Sequence, residues 1–197
     1  MNMKRLLALL AVLLVGCATP YDALRNYSGA DSGTIVASVG MTSENTMHFA
    51  TIEFRRKNAT DLGLLEFSPR AASAFGGTSV DFSSPAGTAT LVRKRLPPGE
   101  YEIISFSSGA NYGNSMVWFN APQNFSIPFT VKAGEVVYLG QYLVGLNLAN
   151  GKPSSSNLLI ANESQRDLTK IGAITTDVRN EAEKIVKDAP SGIRRLN

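Results

Sequence analysis

Hydrophobic residues recur at every second position in short segments, and Gly, Pro, Ser and Asn divide those segments, a pattern that predicts a β-rich domain. Ile35, Ala37, Val39 and Met41 alternate along a first strand that begins near Thr34. Met47 to Arg56 supplies a second, with Ala50, Ile52 and Phe54 on one face. The clearest alternation is Phe125, Ile127, Phe129 and Val131, interleaved with Ser126, Pro128, Thr130 and Lys132. Pro128 has no amide to donate, which places its strand at a sheet edge or a bulge. Val136 to Val144 is apolar at both parities and reads as a central strand covered on two sides. Tyr101 to Phe106, Met116 to Phe119 and Leu158 to Ala161 complete the set, with Thr88 to Leu96 as a further strand of less regular pattern.

After Asn162 the period changes. Asn162 reads as an N-cap, with Gln165 in the capping-box position, ahead of a helix carrying Leu168 and Ile171. Gly172 interrupts it. A second helix is predicted from Thr175 or Thr176 to about Asp188, with Val178, Ala182, Ile185 and Val186 as a narrow apolar stripe, and Pro190 stops it. That second helix reads as a detachable or partner-facing element. Helices that follow the strands instead of alternating with them predict a mainly β fold, an antiparallel β-sandwich with C-terminal helices. Ser68 to Gly87, Ser107 to Ser115 and Asn147 to Asn157 are rich in small and polar residues and read as mobile loops, with binding loops as the alternative.

The amino terminus has a different texture. Lys4 and Arg5 precede the apolar run Leu6 to Val15, then Gly16 and Cys17, the only cysteine. The run is too short to span a bilayer and has the layout of an export signal. Leu14-Val15-Gly16-Cys17 resembles the lipobox of bacterial lipoproteins. The resemblance implies cleavage before Cys17, a thioether-linked diacylglycerol on its sulfur and acylation of the new amino group, and two or three chains give stable anchoring. The plan is then a signal peptide over 1–16, a lipidated tether over 17–33, a β-sandwich over 34–162 and a helical appendage over 163–197. Ala18, in place of the Asp that retains many lipoproteins at the inner membrane, implies outer-membrane sorting in a Gram-negative host.

Removing the signal takes the formal charge from +3 to about +1, 17 basic against 16 acidic residues. That balance, without a binding motif, gives no footprint for nucleic acid. With Cys17 acylated, no thiol remains for a disulfide, a nucleophile or a metal. His48 is the only histidine, so no histidine-based metal cluster or second imidazole is available, and no serine sits in a Gly-x-Ser-x-Gly elbow. No cofactor is expected. Glu100 and Glu102 share one strand face and read as solvated, because paired glycosidase carboxylates flank a cleft. Gly76-Gly77 lacks the lysine of a phosphate loop. Two basic clusters, Arg55-Arg56-Lys57 and Arg93-Lys94-Arg95, are candidates for contact with an anionic partner, or serve to keep sheet edges soluble. Tyr112, Trp118 and Phe119 could line a sugar or peptide groove, although Trp118 beside Met116 and Val117 reads as core.

Leu96-Pro97-Pro98-Gly99-Glu100-Tyr101-Glu102-Ile103, together with Phe129 to Leu139 and Arg166-Asp167-Leu168, resembles segments of prealbumin-like and immunoglobulin-like sandwich modules and of small bacterial envelope lipoproteins of unassigned function. The resemblance covers about Thr88 to Ile171 and implies a fold but no catalytic residues. Together these features lead to the expectation of a non-enzymatic envelope lipoprotein, held to the membrane through Cys17, that serves as an interaction or structural module for another envelope component. The alternative is a binding protein for an apolar or glycan ligand.

Overall fold

The computed structural model describes residues 24, 27–43, 49–69, 79–112, 115–172 and 177–196; Cys17 with the signal segment, Met47, His48 and Gly76-Gly77 lie outside them. The described chain is mainly β. Its strands are β1 (Gly33–Thr42), β2 (Phe49–Arg56), β3 (Leu62–Phe67), β4 (Phe82–Ser84), β5 (Gly87–Leu96), β6 (Gly99–Tyr112), β7 (Ser115–Asn120), β8 (Ile127–Val131), β9 (Val136–Ala149), β10 (Lys152–Ala161), β11 (Val178–Asn180) and β12 (Arg194–Leu196). Two helices, α1 (Ser164–Lys170) and α2 (Ala182–Asp188), complete it.

A seven-stranded sheet has the order β12-β10-β9-β1-β5-β4, with β11 also on β9; a five-stranded sheet has the order β3-β2-β6-β7, with β8 also on β6. The larger sheet is mixed, not antiparallel throughout, because β9 returns to pair parallel with β1, and β11 and β12 pair parallel with β9 and β10. The inward faces share one core. Ile35, Val39, Val137, Leu139 and Tyr142 of the larger sheet meet Ile52, Phe54, Leu65, Tyr101 and Phe129 of the smaller one. Burying each such side chain contributes about 1.5–3 kcal/mol, which a domain without disulfides depends on.

Single-parity alternation translates directly. β8 runs buried, exposed, buried, exposed, buried, and the exposed Pro128 lies on a strand paired on one side only. β9 is buried at both parities from Val137 to Gly145 and is central, as expected. Its second face lies under α1, α2 and β11, where Val36, Tyr138 and Ala182 pack with Leu168, Ile171 and Val178. The register of β9 against β1 shifts at Gly140, which adopts φ +110°, and a Cβ there would stand 3.0 Å from the Ala161 carbonyl and 3.3 Å from the Ala182 methyl. That glycine lets the α2 start touch the sheet.

Several expectations are corrected. The described residues of Ser107 to Ser115 are not loop but the paired ends of β6 and β7, and Asn147 to Asn157 is the upper part of the β9–β10 hairpin. The turn between β9 and β10 is Asn150-Gly151, both at positive φ (53° and 73°), the sequence of a two-residue hairpin turn. The long connection from Ser68 to Gly87 contains β4, and β3 lies where no strand was foreseen. The second C-terminal helix begins only at Ala182, since Val178 to Asn180 extend along β9 as β11. It is not detachable, because Ala182, Ile185 and Ala189 are buried and the last two belong to the main core. Helix α1 begins one residue later than expected. Glu163 is its N-cap and makes no side-chain cap, while Asn162 accepts from the Ser164 amide at 3.2 Å.

The sequence segment assigned to a tether is also partly folded. Leu24 is 1% exposed and belongs to the main core. The Arg95 guanidinium donates to Ser32 Oγ and to the Gly29 carbonyl, and Gly134 donates its amide to the Ser32 carbonyl at 3.0 Å.

Candidate functional site

Strand direction divides the domain into two poles. At one, Gly33 opens β1 beside Leu96 and near Val136, while Gly99 faces Val131 and Arg56 faces Tyr101. The chain enters here. At the other pole lie the ends of β1, β6 and β9, the starts of β2 and β7, and the turn of the β9–β10 hairpin.

The Arg55-Arg56-Lys57 cluster and Arg95 fall at the entry pole, and their charges are engaged internally. Arg55 Nε meets Glu102 Oε1 at 2.6 Å, and Ser126 donates to Glu102 Oε2 at 2.6 Å. The Ser126 hydroxyl, then Arg55, hold the Glu102 carboxyl below its usual range. Glu102 is thus a buried anchor and not the solvated residue its strand position suggested; Glu100 stays in water and pairs with Lys57 at 3.5 Å. Arg56 donates to the Pro98 carbonyl at 3.1 Å. On β5, Lys94 crosses to the other sheet, donating to the Leu64 carbonyl at 3.0 Å with its ammonium 5.7 Å from the Phe54 ring centroid. Arg93 points the opposite way and is exposed. The structure therefore does not gather the six residues into one cationic surface.

Tyr101, at the proline-glycine entry to β6, is fully buried. Its hydroxyl donates to the Pro97 carbonyl at 2.7 Å, its ring stacks on Phe129 with centroids 5.4 Å apart, and burial pushes its pKa up to about 12.

A second polar constellation lies under α1, and no alternation pattern pointed to it. Asp167 is 0% exposed. Its Oδ2 accepts from Ser38 Oγ at 2.6 Å and Tyr138 OH at 2.7 Å, and its Oδ1 from Arg166 Nε at 2.8 Å and Nη2 at 2.7 Å. Arg166 also covers the Phe82 ring at 4.1 Å. Burial, followed by the Asp167 charge, pushes the Tyr138 hydroxyl far up. With every oxygen of Asp167 occupied and no access, this is a fastening of helix to sheet rather than a reactive centre.

The far pole differs in composition. Residues 105–120 and 145–160 carry one charged side chain between them, Lys152, among many Ser, Asn and Gly. Among the described residues, three of the four exposed large hydrophobics lie there: Val117 at 38%, Trp118 at 43% and Leu148 at 63%. Trp118 is therefore not core. Apolar residues at consecutive positions of β7 leave its parity open, and pairing with β6 settles it. Phe106 and Ser108 of β6 turn inward, so Gly109 and its partner Trp118 face out. Phe49 pairs with Gly109 from the other side, and the two rings lie 6.1 Å apart at 39°. A Cβ on Gly109 would come within 2.9 Å of the indole, so the ring lies down over the glycine. The Tyr112 side chain lies outside the described positions.

Below that row, Glu66, Thr51, Ser107 and Asn120 follow on adjacent strands, then Leu64, Glu53 and Ser105. Thr51 and Ser107 form a buried floor, and desolvation raises the pKa of Glu53. Behind the row, the Ser108 and Ser156 hydroxyls meet at 2.7 Å and Ser156 also reaches the Phe119 carbonyl, tying the two hairpins together across the sheets.

Among the described residues no three His, Cys, Asp or Glu side chains are grouped to hold a metal, and no helix is long and apolar enough to cross a membrane. No protein-family model and no curated protein matches the chain. Among solved structures, a leucine-rich repeat protein from Bacteroides thetaiotaomicron VPI-5482 is similar at 12% identity and a TM-score of 0.34, over 64% of this chain and 15% of that one. So remote a likeness carries no statement about function.

Proposed function

We propose that the protein is a lipid-anchored, non-enzymatic binding module of the bacterial envelope. Cys17 holds the entry pole at a membrane, and the aromatic far pole faces outward. One observation carries this reading: the exposed Val117, Trp118 and Leu148 lie at the end of the sheets opposite the end where the chain enters. Leu24 joins the core seven positions after Cys17, so the leader reaches at most about 25 Å. A 14-residue strand such as β9 extends roughly 45 Å, which sets the far pole well clear of the headgroups. We further place the fold among immunoglobulin-like or prealbumin-like sandwiches. The support is the Tyr101 hydroxyl closing on a carbonyl four residues upstream, the geometry of a tyrosine corner.

The test uses the single tryptophan. Cells fed an alkyne palmitate analogue should incorporate it into the protein, Cys17→Ser should abolish the label, and the lipidated protein is then reconstituted in vesicles. Iodide in the aqueous phase should quench Trp118, while brominated lipid acyl chains should not. Quenching by the brominated lipid, or an unlabelled but processed wild type, would reject the reading.

A further inference from the structure

We infer that the Phe49–Trp118 face of the smaller sheet is a binding site for a neutral saccharide chain. The inference deepens the proposed function and rests on it for the outward orientation of the site. A sugar presents two chemistries at once: faces of C–H bonds that pack on flat rings, and a rim of hydroxyls that both donate and accept. The face offers both. Trp118 lies flat over Gly109 with 43% of its surface in water, and Phe49 continues the apolar strip on the neighbouring strand. A large ring held down by backbone presents area at little cost in side-chain entropy.

The polar groups beyond the rings select among ligands. The two hairpins carry a single charge, Lys152, so no cationic field is present to draw phosphate or a polyanion. Asn120 lies beside the Thr51–Ser107 floor and can donate and accept. Glu53 lies two positions beyond Thr51 on the same face, half-buried, with desolvation as the sole cause of its raised pKa and no cation paired to it among the described residues. A carboxylate so placed accepts from hydroxyls and repels anions. From Phe49 to Glu53 along β2 is about 13 Å at the rise of a strand, the length of a short oligosaccharide. Neutral, hydroxyl-rich and elongated describes a glycan, whereas a protein partner would meet the same rings without using the half-buried acceptor.

The experiment titrates the lipidated protein in detergent micelles with chitohexaose, cellohexaose and maltohexaose, and with oligogalacturonate as the anionic control. Trp118 emission and iodide quenching report directly on the site, and calorimetry serves the variants without tryptophan. At least one neutral hexasaccharide should bind saturably, shift the emission and reduce iodide quenching several-fold. Trp118→Ala and Phe49→Ala should each weaken binding at least tenfold, Trp118→Tyr should restore part of it, and Val80→Ser, at an exposed hydrophobic outside the far pole, should leave it unchanged. Equal binding of the galacturonate, binding that survives Trp118→Ala, or protection of Trp118 by a protein and by none of the sugars would overturn the inference. The lipid labelling and brominated-lipid result do not depend on any sugar, so failure here leaves the anchored orientation standing on its own test.

Discussion

Asp167 shows what one side chain can commit. It satisfies two hydroxyls and a guanidinium in a place water does not reach. Replacing it by Ala leaves Arg166 with only its longer contacts to Ser38 at 3.3 Å and Glu163 at 3.7 Å, and leaves Ser38 and Tyr138 without their acceptor. Removing one partner from a buried charged pair costs about 3–5 kcal/mol, and Asp167→Ala should approach that loss in denaturant unfolding. Ser38→Ala should cost less, about 1.5–3 kcal/mol, the range for one hydroxyl bond to a charged acceptor. Glu102 gives a pH-dependent counterpart. Its folded pKa is depressed by Ser126 and Arg55, so its contribution is complete above the ordinary carboxylate range and is lost as pH falls through the lower folded value. Acid titration of stability should therefore be shallower for Glu102→Gln than for the wild type below that range, with the difference vanishing at the most acid end. Sequence gave little warning of either residue. Asp167 stood out only through the Arg166-Asp167-Leu168 resemblance, and Glu102 shares its strand face with Glu100, differing only in having Arg55 and Ser126 opposite.

At the scale of elements, the last strand, helix and strand lock the larger sheet from below. Arg179 of β11 binds Glu135 at 2.6 Å and reaches Glu181 and the Thr130 carbonyl, while β12 extends the sheet beyond β10. Truncation after Gly172 would remove Ile185 and Ala189 from the core and leave the lower edge of β9 unpaired. We expect the truncated chain to lose cooperative unfolding, seen by near-ultraviolet dichroism and binding of an apolar dye. Retained wild-type stability would return the segment to the status of an appendage. Strands with one wet face were legible, β8 above all, because alternation records the boundary between core and water. Two kinds of element were not. β3 opens Leu62-Gly63-Leu64-Leu65, where Gly63 makes room for the Phe54 ring and breaks the alternation. β11 is three residues long and borrows its register from β9, and its Val178 fits a helical stripe as well as a strand. The β9–β10 hairpin was readable in principle, since Asn150-Gly151 is a strong turn signal, but the Ser-rich arm after it looked like loop.

For the whole molecule, the ordering of apolar surface was only partly written in the pattern. Its apolar neighbours Met116 and Val117 placed Trp118 inside, and only the pairing of three strands turned it out. The near absence of charge across two hairpins was visible in the sequence, yet it gained meaning once the fold brought both hairpins to one end and a serine pair joined them. The early burial of Leu24 has one further consequence. In the anchored arrangement proposed above, a leader this short would fix the height at which the domain stands above its bilayer, and diffusion would carry every far pole through one thin layer parallel to the membrane. A polymer strand lying in that layer would be searched in two dimensions, at an effective concentration far above that of free protein. Under such confinement, weak and quickly reversed contacts at each site would be enough to hold two surfaces at a set spacing while still letting them slide.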